Sequence, residues 1–288
     1  YGDLADYMKL GYVPIDKEPE AASKTLEYAY DDWSLAQMAK AMGKSDTAAT
    51  FQQRAGNWRH AWDAQTGFMR ARLGDGKFRE PFNPEAAGYG SDYTEGNAWQ
   101  YSWYVPQDIA GLIGALGGDA KFIDKLDQLF DAKVDPTHFK NVEDITGLIG
   151  WYAHGNEPSH HIAYLYDYAG AAWKTQARLK QIMDSQYAAR PDGLAGNDDL
   201  GQMSAWYVFT AIHLSNGHTF TVSATPLDDA HPYVGAVTLN GKPLERTYLH
   251  HAEILAGGEL HFSMQAEPNR DWGRSDAARP AAMSRYGK

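Results

Sequence analysis

The feature that most constrains the fold is a change in hydrophobic periodicity near residue 213. Before it, apolar residues recur about every 3.6 positions, which predicts helices over residues 23–42, 45–63, 98–116, 120–130, 158–169, 172–187 and 202–213. Gly43 is expected to end the first helix, and Pro106 to kink the third or to split it after Val105. No alternating pattern interrupts this half, so residues 1–213 are predicted to be all-α, as a helical toroid or a bundle.

After residue 213 the pattern has a period of two, which predicts strands. Residues 219–222, 237–239 and 259–264 alternate between apolar and polar side chains, and Asn216-Gly217 and Asn240-Gly241 are typical hairpin dipeptides. Residues 214–288 are therefore predicted to form a small antiparallel β-region that follows the helical domain. Residues 78–93 and 134–152 are predicted to be long loops, which in compact domains usually shape a functional site.

The composition excludes several classes of function. The formal net charge of −11 argues against a broad nucleic-acid surface, which is usually basic. No run of 18 apolar residues is present, so no membrane span is predicted. The absence of cysteine excludes disulfides and thiolate chemistry, while aromatic residues make up 13% of the chain and suit either core packing or flat sugar-binding platforms. Because the chain starts at Tyr1 without a Met or a signal peptide, we expect a processed chain or a fragment.

A first candidate segment, residues 94–101, places Glu95 just before a predicted helix. One interpretation is that Glu95 stabilises the helix dipole, which contributes about 0.3–1 kcal/mol. The other is that the nearby rings of Trp99 and Tyr101 desolvate the carboxyl group, raise its pKa and make it a general acid.

A second segment, residues 154–161, combines amide, carboxylate and imidazole groups. Asn156 and Glu157 precede Pro158 at a predicted helix start, and oxygen ligands of this kind suit a hard cation such as Ca²⁺. Glu157 and His160 form a single Glu-x-x-His pair, but a di-iron bundle needs two copies and the chain has one. A zinc site on the histidines stays open as an alternative, although the His-Glu-x-x-His pattern is absent.

A third segment, residues 193–207, places Asn197, Asp198 and Asp199 before the last predicted helix. One carboxylate is enough to cap a helix, so the second must be solvated, paired or used to activate a water molecule. Carboxylates on separate loops, set among Trp and Tyr residues, are the minimum that glycoside hydrolysis requires.

These segments resemble the signature blocks of glycoside hydrolase family 92. The resemblance covers residues 23–33, 93–101, 152–161 with 164–166, and 196–207, in the order of the family. It implies calcium-dependent, inverting exo-α-mannosidases, many of which act on α-1,2 linkages of mannans and N-glycans. It also implies an (α/α)6 toroid that shares its cleft with an N-terminal β-sandwich. The expected fold class is thus mainly α, an apparently partial toroid without that sandwich, followed by the small antiparallel β-region.

The resemblance also implies roles for individual residues. Glu95 would be the general acid and Asp199 the general base, with Asp198 or Asn197 assisting. Asn156 and Glu157 would lie at the calcium ion and the −1 sugar, with Gln100 close by. The residues expected to line the cleft are Trp99, His154, Glu157, His160, Trp206 and Asn197. Leu200 stands where the resemblance predicts Cys.

The implied partner is a mannose-containing glycan, and the implied location is exported, periplasmic or at the cell surface. Two alternatives differ in class. The chain is another (α/α)6 enzyme, such as a glucosidase, a trehalase-like enzyme or a polysaccharide lyase, or it is an inactive carbohydrate-binding fragment. A lyase would release an unsaturated product, and a binding fragment would show no turnover. Inversion would require about 6.5–9.5 Å between the two carboxyl groups, which leaves room for a water molecule.

Overall fold

The computed structural model describes residues 2–88, 90–140, 142, 145–207, 211–213 and 219–283. The chain forms two compact units. The first comprises Tyr1–Gly117, Gln128–Ser159 and Ala282–Lys288, and the second comprises Gly118–Asp127 and His160–Ala281. Within the described part of the chain, no helix is long and apolar enough to cross a membrane.

The first unit is built mainly of helices. They are α1 (Gly2–Leu10), α2 (Ala21–Ala41), α3 (Ser45–Arg54), α4 (Trp58–Ala61), α5 (Ala98–Tyr101) and α6 (Ile109–Leu116), while α7 (Asp119–Asp131) contributes residues to both units. Helix α2 confirms the helix predicted over residues 23–42. It buries Leu26, Ala29 and Ala36 on one face, and it ends before Gly43, whose φ of 70° favours glycine.

The helix predicted over residues 98–116 is split, as Pro106 suggested, but its first part ends at Tyr101 and not at Val105. Tertiary hydrogen bonds explain the early end. The Ser102 hydroxyl accepts the backbone N–H of Met69, and the buried Asp108 caps α6 by accepting the N–H of Gly111. The Ser102 contact joins the chain to a distant strand. Asp108 caps α6 locally and also accepts hydrogen bonds from Trp58 and Arg59, and local periodicity does not reveal these distant partners.

Three further details of the helical prediction are wrong. Residues 45–63 divide into α3, a 3-10 turn over Ala55–Asn57, α4 and a short strand. Residues 158–169 form 3-10 turns followed by the short helix α8 (Leu165–Tyr168). This half also contains two antiparallel strand pairs, β1 (Trp62–Asp63) with β2 (Phe68–Met69) and β3 (Leu148–Ile149) with β4 (Tyr152–Ala153). Strands of two residues are too short to produce an alternating pattern.

The second unit combines helices with a five-stranded sheet. Its further elements are α9 (Ala172–Gln186), α10 (Gln202–Tyr207), α11 (His251–Leu255), β5 (Ala211–His213), β6 (Thr219–Thr225), β7 (Tyr233–Leu239), β8 (Lys242–Pro243) and β9 (Gly258–Gln265). The strand order is β5-β6-β9-β7-β8, and Phe220, Val234, Val237 and Leu260 form the centre of its core.

The sheet partly confirms the prediction for this region. The Asn240-Gly241 hairpin joins β7 to β8, with both residues at positive φ (52° and 74°), as a two-residue turn of this kind requires. The pairing of β6 with β9 is parallel, so the sheet is mixed and not purely antiparallel. The helix predicted to His213 is wrong at its end, because residues 211–213 form β5. The Asn216-Gly217 turn lies outside the described residues, and the domain division at residue 213 stays a prediction.

Candidate active site

The turn that carries Glu95 is held from both sides. The N–H of Thr94 donates to the buried hydroxyl of Ser23 (2.9 Å), and Nδ2 of Asn156 donates to the carbonyl of Glu95 (3.1 Å). Glu95 has a φ of 44°, in the left-handed region that costs a residue with a side chain about 1–3 kcal/mol. Its side chain is exposed, whereas Gly96 and Asn97 are buried. The structure therefore presents one carboxyl group on a strained but firmly bonded turn.

Asn97, and not Glu95, caps the short helix α5. Its Oδ1 accepts the N–H of Trp99 (2.9 Å), and Oε1 of Gln100 accepts the N–H of Asn97 (2.7 Å), which completes a capping box. Nε2 of Gln100 donates to the carbonyl of Trp151 (2.7 Å). Because the cap is already supplied, the carboxyl group of Glu95 is not required for helix formation.

Helix α2 contributes a second carboxyl group that the sequence analysis did not single out. The hydroxyl of Tyr101 donates to Oε1 of Glu27 (3.2 Å). Burial raises the pKa of Glu27, and the charges of neighbouring carboxylates, Glu95 among them, add to this effect. Glu27 follows Ser23 by four residues, so both lie on one helix face, and that spacing was the available signal.

Residues 154–159 of the second segment lie against the first segment within the first unit. His154 is fully buried, and its Nδ1 shares a hydrogen bond of 2.8 Å with the hydroxyl of Tyr152. Asn156 is 5% exposed and contacts Glu95 as described, whereas Glu157 is exposed. The rings of Trp99 and Trp151 are nearly parallel, 6.2 Å apart. The fold thus brings together the segments that carry Glu95, Gln100 and Asn156.

The oxygen atoms here suit a hard cation. Among the described residues, no group of three or more His, Asp or Glu side chains could hold a metal ion. A cation would therefore depend on amide oxygens as well as on Glu157. Asn156 is 5% exposed and its Nδ2 donates to the carbonyl of Glu95, so Oδ1 is the atom of this side chain that could bind a cation. Neutral oxygens combined with a carboxylate are ligands that Ca²⁺ prefers, and they fit zinc less well.

In the third segment, within the second unit, Asp198 is the capping residue. Its Oδ1 accepts the N–H groups of Met203 (2.9 Å) and Ser204 (3.0 Å), and its Oδ2 accepts the Ser204 hydroxyl (2.9 Å). These hydrogen bonds, those from Ser204 above all, hold the pKa of Asp198 below its usual value. Asp199 takes no part in the cap and is exposed, as is Asn197. The two adjacent carboxylates therefore have different surroundings.

An aromatic group adjoins these carboxylates. Nε1 of Trp206 donates to the carbonyl of His160 (3.4 Å), so the third segment contacts His160. The Trp206 ring stacks on Tyr187, with ring centres 6.0 Å apart and planes 5° apart, and Tyr164 lies beside it. Burial raises the pKa of Tyr187, and the charge of Asp198 contributes. Tyr164 and Tyr187 were not among the predicted site residues. Tyr187 follows the last residue of α9, where periodicity marks only the helix end.

The described structure thus forms two groups of candidate residues, one in each unit. Glu95, Asn156 and Gln100 lie together in the first unit, and Asp198 and Trp206 lie together in the second. The convergence of Glu95 and Asp199 on one sugar joins residues of different units and stays a prediction. Carboxylates on hydrogen-bonded turns beside aromatic rings can donate and accept protons around a sugar ring.

The fold and these turns agree with the comparison to known families. A family model described as the glycosyl hydrolase family 92 catalytic domain matches residues 1–212 and 210–266. The chain is thereby placed in the class of glycoside hydrolase catalytic domains. Within that class, it belongs to glycosyl hydrolase family 92, as the four sequence blocks indicated.

Solved structures from Bacteroides thetaiotaomicron are similar to the chain. A family GH92 alpha-mannosidase in complex with mannoimidazole is 39% identical, with a TM-score of 0.92 over 98% of this chain and 41% of that chain. A family GH92 inverting mannosidase is 36% identical, with a TM-score of 0.86 over 98% of this chain and 42% of that chain. These matches confirm the predicted fold class, mainly α with part of an (α/α)6 toroid and a small β-region.

One curated relative is also similar. It is described as an uncharacterized secreted glycosidase of Arthroderma benhamiae and is 26% identical over 98% of this chain and 41% of the relative. The chain therefore spans about two fifths of the length of the proteins it matches (41% of the curated relative and of the first solved structure).

Proposed function

We propose that the protein is an exo-α-mannosidase that removes terminal α-linked mannose, with inversion, from α-1,2-linked mannans or N-glycans. Family membership supports the reaction class. The names of the solved relatives, an alpha-mannosidase and an inverting mannosidase, support the sugar and the stereochemistry. The observation that carries the proposal is the presentation of Glu95, an exposed carboxyl group on a strained turn held by Ser23 and Asn156.

The first step is protonation of the leaving group. Glu95 donates its proton to the glycosidic oxygen while the bond from the anomeric carbon to that oxygen breaks, through an oxocarbenium-like transition state. A carboxyl group must be protonated for this role. The charge of Glu95 is among those that raise the pKa of Glu27, so the two carboxyl groups interact.

The second part of the reaction is attack by water. Asp199 would accept a proton from a water molecule that attacks the anomeric carbon from the opposite side of the ring, which inverts the configuration. Asp198 is occupied as a cap, so it would assist by fixing the turn, and Asn197 would bind the sugar or the water. The low pKa of Asp198 keeps its carboxylate charged, which favours a positive charge developing on the sugar.

A calcium ion would be held by Asn156 and Glu157, with Gln100 adjacent. When bound, calcium would interact with two vicinal hydroxyl groups of the mannose ring and would thereby stabilise the distorted ring of the transition state. Of the remaining proposed cleft residues, Trp99, His160 and Trp206 would form the walls of the cleft, and the fully buried His154 would support them from below through its hydrogen bond with Tyr152. We also propose that the protein is exported, which agrees with the name of the secreted relative.

The test is the dependence of hydrolysis on the leaving group. Glu95→Gln should lower kcat by about 10²–10⁴-fold on a mannoside with a poor leaving group, because general acid catalysis is lost. On dinitrophenyl α-mannoside, whose leaving group needs no proton, the loss should be small. Glu85→Gln, the same change at another exposed glutamate, is the matched control and should leave both rates unchanged.

Proton NMR of the first product identifies the reaction. An inverting mannosidase releases β-mannose before mutarotation. Release of α-mannose would contradict inversion, and an unsaturated sugar would indicate a lyase. Equal activity of Glu95→Gln and wild type on both substrates would remove Glu95 from the role of acid. Binding of mannose without turnover would indicate a carbohydrate-binding module.

A further inference from the structure

Ser23 begins the 23–33 block on helix α2, performs no proton transfer in the mechanism above, and contacts the turn that carries Glu95 directly. We propose that Ser23 is a positioning residue, which fixes the general acid Glu95 through the backbone N–H of Thr94. This inference rests on the proposed function, since it concerns the same carboxyl group.

The first turn of α2 binds the chain that leads to Glu95. The Ser23 hydroxyl is fully buried and accepts the N–H of Thr94 (2.9 Å). The hydroxyl of Thr94 donates to Oε2 of Glu20 (3.1 Å). Two backbone hydrogen bonds add to this contact. The N–H of Glu20 donates to the carbonyl of residue 91 (3.1 Å), and the N–H of residue 22 donates to the carbonyl of residue 92 (3.0 Å). The residues before Glu95 are thus aligned along the start of one helix.

The backbone of Glu95 explains why this alignment matters. A residue with a side chain keeps a φ of 44° only where its surroundings enforce it. Ser23 binds the N–H of Thr94, the residue before Glu95, and Asn156 binds the carbonyl of Glu95 itself. Without the Ser23 hydroxyl, the Thr94 N–H would lose its acceptor, and the turn would relax toward an extended conformation. A shift of about 1 Å in a catalytic group is enough to lower a rate about 10²-fold.

The helix itself does not depend on Ser23. Asp32, further along α2, accepts hydrogen bonds from Nε (2.9 Å) and the terminal nitrogen (2.7 Å) of Arg54, and Leu26 and Ala29 are fully buried. The side chain of Ser23 contacts the Glu95 turn through Thr94 and also hydrogen-bonds the hydroxyl of Tyr101, whereas the Asp32, Leu26 and Ala29 contacts hold α2 in the core. Removal of one hydroxyl should therefore displace the turn without unfolding the helix.

The experiment compares Ser23→Ala with wild type on the two mannosides used above. Ser23→Ala should lower kcat about 10-fold on the poor leaving group, with KM unchanged, because the acid is misplaced. On dinitrophenyl α-mannoside the loss should be less than about twofold, since no proton is needed. Ser34→Ala is the matched control: Ser34 is an exposed serine of the same helix that donates to the carbonyl of Tyr30, and its removal should change neither rate.

The outcomes separate this inference from the proposed function. Equal losses on both substrates, or no loss on either, would overturn the positioning role of Ser23. If Glu95→Gln shows the leaving-group dependence and Ser23→Ala does not, only the present inference fails. If Glu95→Gln shows none, or wild type shows no turnover, the proposed function fails and this inference with it. Should Ser23→Ala lose its native circular dichroism, Ser23→Cys, which keeps the volume but accepts weakly, should show the same split.

Discussion

At the scale of single residues, backbone strain coincides with the proposed chemistry. Within the described parts of the chain, five residues other than glycine have positive φ: Glu20, Glu95, Asp198, Leu200 and Asn240. Asn240 forms a hairpin turn, where this conformation is expected. Glu95 lies in the turn proposed to carry the acid, and Asp198 and Leu200 lie in the turn proposed to carry the base. Glu20 contacts the first of these turns through the hydroxyl of Thr94. Strain of this kind persists where a fold over-determines the backbone, which is common at functional sites.

The adjacent aspartates of the third segment should respond differently to mutation. Asp198→Ala removes a cap and should lower the free energy of unfolding, because the N–H groups of Met203 and Ser204 lose their acceptor. Asp199→Ala should change that free energy by less than about 0.5 kcal/mol, because the side chain is exposed. It should instead lower kcat by about 10²–10⁴-fold through loss of the base. Urea titration and mannoside hydrolysis measure the two effects. A loss of activity confined to Asp198→Ala would exchange the proposed roles.

At the scale of elements, a short hairpin positions the helix that follows the acid. Strands β3 and β4 are joined through Gly150 and Trp151, and the carbonyl of Trp151 accepts the Gln100 amide. The N–H of Trp151 in turn donates to the carbonyl of Leu129 (2.8 Å). A Cβ atom on Gly150 would lie 2.2 Å from the same carbonyl oxygen. The position therefore requires glycine both for its φ of 60° and for its space.

Gly150→Ala should accordingly be more harmful than Gly43→Ala. Gly43 also has a positive φ (70°), but a Cβ atom there meets nothing within 4 Å. Gly43→Ala should cost about 1–2 kcal/mol from backbone strain alone. Gly150→Ala adds a collision with the backbone, which should cost about a further 1–3 kcal/mol, and it should lower activity by displacing Trp151. Chemical denaturation of both variants is the test, and equal losses would show that the hairpin moves aside freely.

At the scale of the whole molecule, each unit supplies part of the proposed machinery. The acid turn and the candidate cation ligands belong to the first unit, and the proposed base belongs to the second. The chain is acidic overall, with a net charge of −11, which favours cations near its surface and disfavours phosphate-rich partners.

Removal of calcium should affect both stability and turnover. A ligand that binds only the folded protein stabilises it by about 2.7 kcal/mol at 100 times its Kd, so a chelator should lower Tm and abolish hydrolysis. Calcium should restore both better than zinc, because the candidate ligands are oxygens. Glu157→Gln should weaken the calcium-dependent rise in Tm. A rise in Tm with zinc exceeding that with calcium would instead favour a site built on the histidines.

The sequence alone was sufficient to predict the longer helices and strands, which have a regular hydrophobic pattern, and the local motifs. The helices α2, α7 and α9, the strand pattern after residue 213 and the Asn240-Gly241 turn follow from periodicity and turn chemistry, which neighbouring residues determine. The blocks around Glu95, Asn156 and Asp198 identified the family before any coordinates.

Only the tertiary structure decided how individual side chains within those blocks are used. It showed that Asn97 and Asp198 are caps, that Glu95 is on a strained turn, and that Ser23 and Glu27 contact its neighbours. Thr94 and Ser23 are far apart along the chain, so their hydrogen bond leaves no trace in local periodicity. Helix and strand patterns depend on residues a few positions apart, whereas a site depends on contacts between distant residues. For that physical reason, the contacts within a site cannot be derived from the periodicity of the sequence.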